Sequence, residues 1–157
     1  AVLFSNQEAG SALDYYFPEL FIPDLKAESR EEVLEKMVSH IAKHRQLPGN
    51  FLELIRRREQ TARTEFGNLV AMPHPEDNVT DETFVCIAVL EQPIIWETQK
   101  VQVVFLVSVE KELNQSIQPF YKATAEFLLG RESIRGLIRH RSFQWFENEM
   151  QKMEEET

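Results

Sequence analysis

Between residues 33 and 41 the apolar positions Val33, Leu34, Met37, Val38 and Ile41 recur at the three- and four-residue intervals of a helix face. Ser29 followed by Glu32 has the spacing of a reciprocal cap, so the pattern predicts a helix over residues 30–45. Leu47-Pro48-Gly49 breaks the chain and Asn50 is placed to cap; Phe51, Leu52, Leu54 and Ile55 then open a second helix that reaches about Gln60. Residues 84–90 and 101–109 are apolar at nearly every position and bounded by polar residues, which predicts two strands buried on both faces. Gln92-Pro93 predicts a turn, followed by a short extended piece to Trp96. Residues 17–22 suit a short edge strand before Pro23, and residues 69–72 a short apolar strand stopped by Pro73. Phe120, Ala123, Phe127 and Leu128 mark a helix over 116–129 with Gly130 as its cap. Helices near 132–139 and 142–153 follow, turning Ile134, Leu137, Ile138, Phe143 and Phe146 inward and leaving Trp145 open between core and surface. Buried strands with helices before and after them imply a layered α/β domain.

The length of 157 residues suits one such domain. The expected division is a linker or arm over 1–14, with Tyr15, Tyr16 and Phe17 as anchors, then a domain over 15–153 and a frayed tail over 154–157. With Ala1 in place of methionine, the chain is expected to be processed or cut from something longer. A formal net charge of −9 argues against direct nucleic-acid binding, because phosphates demand a basic face. No stretch approaches the roughly 18 uninterrupted apolar residues of a membrane span, so membrane insertion is not expected. The lone Cys86 excludes an internal disulfide and fits a reducing cytoplasm, where it reads as a small buried hydrophobe. No Gly-rich phosphate loop, zinc spacing or nucleophile elbow is present, so no cofactor or metal is expected. His40 and His44 have a metal-compatible spacing but no third ligand, and read as solvated helix histidines.

The candidate chemistry lies in residues 58–75. There the second helix ends, Gly67 and Asn68 make a turn, and the short strand delivers His74 between Pro73 and Pro75. A neutral imidazole on a stiffened strand-end loop is a nucleophile at neutral pH. Arg56, Arg57 and Arg58 close the preceding helix, where cations suit the dipole. The acidic loop over 76–82 is expected at the mouth of the site.

Arg58-Glu59, Thr64, Gly67 and Ala71-Met72-Pro73-His74, at this spacing, resemble the signature of the mannitol–fructose class of enzyme IIA domains in the bacterial phosphotransferase system. The resemblance spans about residues 18–150 and implies a three-layer α/β/α sandwich with a small mixed sheet. It also implies that His74 accepts a phosphoryl group and that Arg58 clamps phosphate oxygens in a two-point geometry lysine lacks. Thr64, Asn68 and backbone N–H groups are then candidates to complete the cradle, although Thr64 and Asn68 also suit turn residues bonded to their own backbone. The family usually carries a second histidine at the start of a later helix; here Ser116 stands in its place, a hydroxyl that cannot carry positive charge.

The run ending Pro-His-Pro is most similar to the enzyme IIA-like domains of sugar-responsive transcription regulators, whereas transport subunits more often have glycine after the histidine. The resemblance therefore implies a cytoplasmic regulatory domain phosphorylated by the histidine phosphocarrier protein and acting on attached regulator domains. Two rivals stand beside it. One is a transport subunit, a phosphotransferase component that passes the phosphoryl group to enzyme IIB. The other is an unphosphorylated protein-binding module on the same fold.

Overall fold

The computed structural model describes residues 11–113 and 116–156. Four strands form one mixed sheet: β1 (Tyr16–Leu25), β2 (Val70–Ala71), β3 (Phe84–Ile95) and β4 (Lys100–Ser108), in the order β1-β3-β4-β2. The central pair β3 and β4 is antiparallel, with Ile87 opposite Phe105; β1 runs parallel to β3, and β2 parallel to β4. Helices α1 (Arg30–Ala42) and α2 (Phe51–Thr61) cover one face, and α3 (Gln118–Leu129), α4 (Arg131–His140) and α5 (Phe143–Glu156) cover the other.

The unbroken apolar runs are explained by the two-residue period of a strand. On β3, Phe84, Cys86, Ala88 and Leu90 enter the core under α1 and α2, while Val85, Ile87 and Val89 enter the core under α3, α4 and α5. On β4, Val104 and Leu106 serve the first core, and Val103, Phe105 and Val107 the second. Both faces are covered over residues 84–90 and 103–107, and these stretches carry no charged or amide side chain. Cys86 is fully buried, and burial pushes its thiol up to about 12.

Several boundaries differ from the sequence pattern, most by a few residues at an element's end, such as the first helix, which stops at Ala42. The edge strand β1 is longer than expected and passes through Pro18 and Pro23, which an edge strand tolerates at register shifts. The polar Glu91-Gln92-Pro93 stretch is no turn: β3 continues through it, and a register shift between Val89 and Ile94 absorbs the proline. The reversal instead lies between Trp96 and Gln99 and is held from a distance. Both carboxylate oxygens of Glu65 accept from the backbone N–H groups of Glu97, Thr98 and Gln99, at 2.9–3.1 Å. Burial alone raises the Glu65 pKa, but these donors outweigh it and hold the group below its ordinary value.

At the carboxyl end, the tail expected to fray from residue 154 is helical through Glu156. Glu154 accepts from the Ser11 hydroxyl at 2.9 Å and from the Ala12 N–H at 3.0 Å. This pins the short 3-10 turn Ala12–Tyr15 to α5. The arm expected over 1–14 is thus docked from Ser11 onward, and residues 1–10 lie outside the described part. Trp145 is half-buried and stacks on His140 with ring centroids 4.9 Å apart. His40 bonds the Glu19 carbonyl at 2.8 Å.

Candidate functional site

Three consecutive arginines on α2 point in three directions because each residue advances the helix by about 100°. Arg56 makes a two-point pair with Glu31 at 2.8 and 3.0 Å. Arg57 lies 3.7 Å from Glu53. Arg58 turns toward the strand-end loop, where its Nε donates to His74 Nε2 at 3.0 Å and its Nη1 donates to the Ala62 carbonyl at 2.8 Å. The second of these bonds ties the guanidinium to the end of its own helix.

The loop that carries His74 is fixed by its prolines and by what they bond. Pro73 has no N–H, but its carbonyl accepts from Val107 N at 3.0 Å, so the chain stays attached to β4 one step beyond β2. Glu76 N donates to the Leu54 carbonyl at 3.0 Å and ties the far side of the loop to α2. The His74 Nδ1 atom lies 3.2 Å from the Met72 carbonyl, which can only accept, so Nδ1 carries the proton. Nε2 is then the bare nitrogen, in agreement with its acceptance from Arg58. Burial is the largest effect on His74 and lowers its pKa below 6.5; the Met72 carbonyl opposes it, the Arg58 charge adds a smaller lowering and Glu59 a smaller rise. The imidazole is therefore held neutral, with its lone pair on Nε2, beside a cation.

The other residues proposed from the sequence are placed differently. Thr64 is buried, donates to Glu59 Oε2 and accepts from Trp96 Nε1 at 3.3 Å, so its proton faces Glu59 rather than His74. Asn68 lies at the opposite end of β2 from His74. Its amide donates to the carbonyls of Leu128 and Gly130 at 2.8 and 3.1 Å, which closes the end of α3 and corrects its expected place in the cradle. Gly67, Asn68 and Leu69 all have positive φ, at 92°, 55° and 67°. This tight turn is what aims the Asn68 side chain at α3. Ser116 is exposed; its hydroxyl lies 3.4 Å from Gln118 N, and it does not line the cavity at His74.

That cavity has a volume of about 190 Å³. Met72, Val107 and Val109 supply apolar wall, and His74, Asn78 and Tyr121 are its polar members. A larger space of about 510 Å³ lies between the amino-terminal turn, α3 and α5, lined by Gln118, Lys122, Glu126 and Met153 among others and by no histidine. Of the two, the smaller cavity is the one lined by an imidazole.

Two features escaped the sequence pattern. The first is the burial of the carboxylate of Glu59, a residue the motif contained without a role. It accepts from Thr64, from Trp96 Nε1 at 2.8 Å, and lies 3.6 Å from Arg30. The second is Tyr121, at the start of α3, for which the only signal was an aromatic close to the helix end aligned with the site.

Comparison with known proteins bears on the family and the fold. The family model described as phosphoenolpyruvate-dependent sugar phosphotransferase system, EIIA 2, matches residues 15–152. The chain is 34% identical over 139 residues to the probable licABCH operon regulator of Bacillus subtilis (strain 168), covering 88% of this chain and 22% of that protein. It is 24% identical over 107 residues to the transcriptional regulator ManR of the same organism, covering 68% of this chain and 16% of that protein. The chain thus spans about a fifth of the length of these relatives. Among solved structures, IIA mannitol from Escherichia coli superposes with a TM-score of 0.69 at 18% identity, covering 84% of this chain and 95% of that one. The nitrogen regulatory protein IIA-Ntr from Neisseria meningitidis superposes with a TM-score of 0.65 at 15% identity, covering 80% of this chain and 88% of that one. The mixed sheet between two helical layers is accordingly the mannitol IIA fold, and the chain belongs to the EIIA 2 family of the phosphoenolpyruvate-dependent sugar phosphotransferase system.

Proposed function

We propose that His74 is a phosphoacceptor, charged by the histidine phosphocarrier protein, and that the domain reports sugar-transport status to a transcription regulator in the cytoplasm. The observation that carries this reading is the unprotonated His74 Nε2 held at 3.0 Å from Arg58 Nε. Phosphoryl transfer to nitrogen leaves little covalent work for the protein beyond positioning and charge. The Nε2 lone pair attacks phosphorus in line as the bond to the donor nitrogen breaks, and the Nδ1 proton stays on the ring against the Met72 carbonyl. Arg58, released from Nε2 by the incoming group, is left beside the phosphoryl oxygens and pairs with two of them. The regulatory half of the proposal is supported by the two Bacillus subtilis relatives, both named as regulators.

A transport role, handing the group to an enzyme IIB, is the second reading. It is supported by the likeness in fold to the Escherichia coli mannitol IIA in its complex with phosphorylated IIB, at a TM-score of 0.69. Incubation with phosphoenolpyruvate, enzyme I and the phosphocarrier protein is expected to add one acid-labile phosphoryl group, lost in His74→Ala. Labelling that survives in His74→Ala and moves with His40 or His140 overturns the assignment.

A further inference from the structure

A phosphoryl group presents three peripheral oxygens, and Arg58 approaches His74 only from the end of α2. Helix α3 also reaches the cavity at His74, and Tyr121 is the residue of that helix that lines it. Resting on the reading of His74 as the acceptor, we propose that the Tyr121 hydroxyl is a direct hydrogen-bond donor to the phosphoryl group. It stands in the role the sequence offered to Ser116, whose own oxygen lies against the Gln118 N–H.

Tyr121 is well placed for this. Its N–H bonds the Ile117 carbonyl at 3.1 Å, and Pro119 stiffens the first turn of α3, so the side chain springs from a fixed backbone. The ring packs against Phe120 with centroids 5.3 Å apart, while the residue lines the cavity and keeps 40% of its surface exposed. Partial burial raises the phenol pKa above 10, so the group remains protonated at neutral pH and offers its proton to an anion. A phenol cannot add the positive charge that a protonated imidazole would. The donor set at this site is therefore one cation, Arg58, and one neutral hydroxyl, with Asn78 also among the residues that line the cavity.

Phosphoramidate provides the test, because it transfers a phosphoryl group to imidazole with loss of ammonia and has no protein docking surface. The expected result is that Tyr121→Phe, which keeps the ring and the wall, takes the group onto His74 at least tenfold more slowly than the parent chain, since a hydrogen bond to a charged group is lost. The phosphorus-31 resonance of its phosphohistidine is also expected to shift, which loss of packing elsewhere would not cause. Rates within twofold and an unchanged resonance overturn the proposal. A parent chain labelled by phosphoramidate but not by the phosphocarrier protein removes the phosphocarrier reading and leaves the role of Tyr121 standing. No labelling of His74 by either donor overturns both.

Discussion

Removal of the Glu59 carboxylate tests how the end of α2 is tied to the buried Thr64 and Trp96 side chains. Glu59 is 5% exposed, and its two oxygens accept from the Thr64 hydroxyl and the Trp96 indole, which are themselves 6% and 4% exposed. In Glu59→Ala both donors lose their acceptor in a place water does not reach, at about 1–3 kcal/mol for each stranded group. Part of this is recovered because Trp96 Nε1 already lies 3.3 Å from Thr64 Oγ1 and can turn toward it. The lost ion pair adds little, since Arg30 Nη1 is 3.6 Å away on a side chain one-third exposed. The expected net loss is about 2–4 kcal/mol, which lowers Tm by roughly 5–15 °C for a domain of this size. Urea unfolding followed by far-UV circular dichroism measures it directly, and Glu59→Gln, which keeps one acceptor, should fall between the two. A loss under about 1 kcal/mol for Glu59→Ala would show that the carboxylate is dispensable and that the geometry of Thr64 and Trp96 has been misread.

Arg58→Lys keeps a charge at the end of α2 but not the fork, so phosphorylation of His74 is expected to slow by about tenfold or more with Tm unchanged within a few degrees; equal rates would reduce Arg58 to a helix-end residue. The His74 ring should titrate below 6.5 in the folded chain by NMR. Because the unfolded chain then binds the proton more readily, this residue's contribution to stability is complete above about pH 6.5 and declines as pH falls toward the folded value; a midpoint at or above 6.5 contradicts the geometry. Gly136→Ala introduces a Cβ that collides with the six-membered ring of Trp145. It is therefore expected to destabilise by about 1–3 kcal/mol and to displace the indole, despite the better helix propensity of alanine; a gain in Tm would refute this.

By itself the sequence determined the elements whose signal is periodic or local. Strands β3 and β4 were legible because both faces are buried, and α1, α2 and the carboxyl-terminal helices because one face is. The place of His74 past the end of β2 was legible because of the prolines on both sides, and the motif running from Arg58 to His74 carried the family. Tertiary structure decided what depends on residues remote in sequence. Nothing near Glu65 announces that it holds the Trp96–Gln99 reversal 32 to 34 residues away. Nothing near Gln92-Pro93 shows that the polar stretch stays in the strand. Asn68 had the composition of a turn residue, and only the packing of α3 against β2 gave its amide two carbonyls to bond. Ser116 and Tyr121 are five positions apart at one helix start, and only the direction of that helix could determine which of them reaches the cavity. The physical reason is the same in each case: burial patterns repeat along the chain and can be read from it, whereas a hydrogen bond between distant residues leaves no period in the sequence.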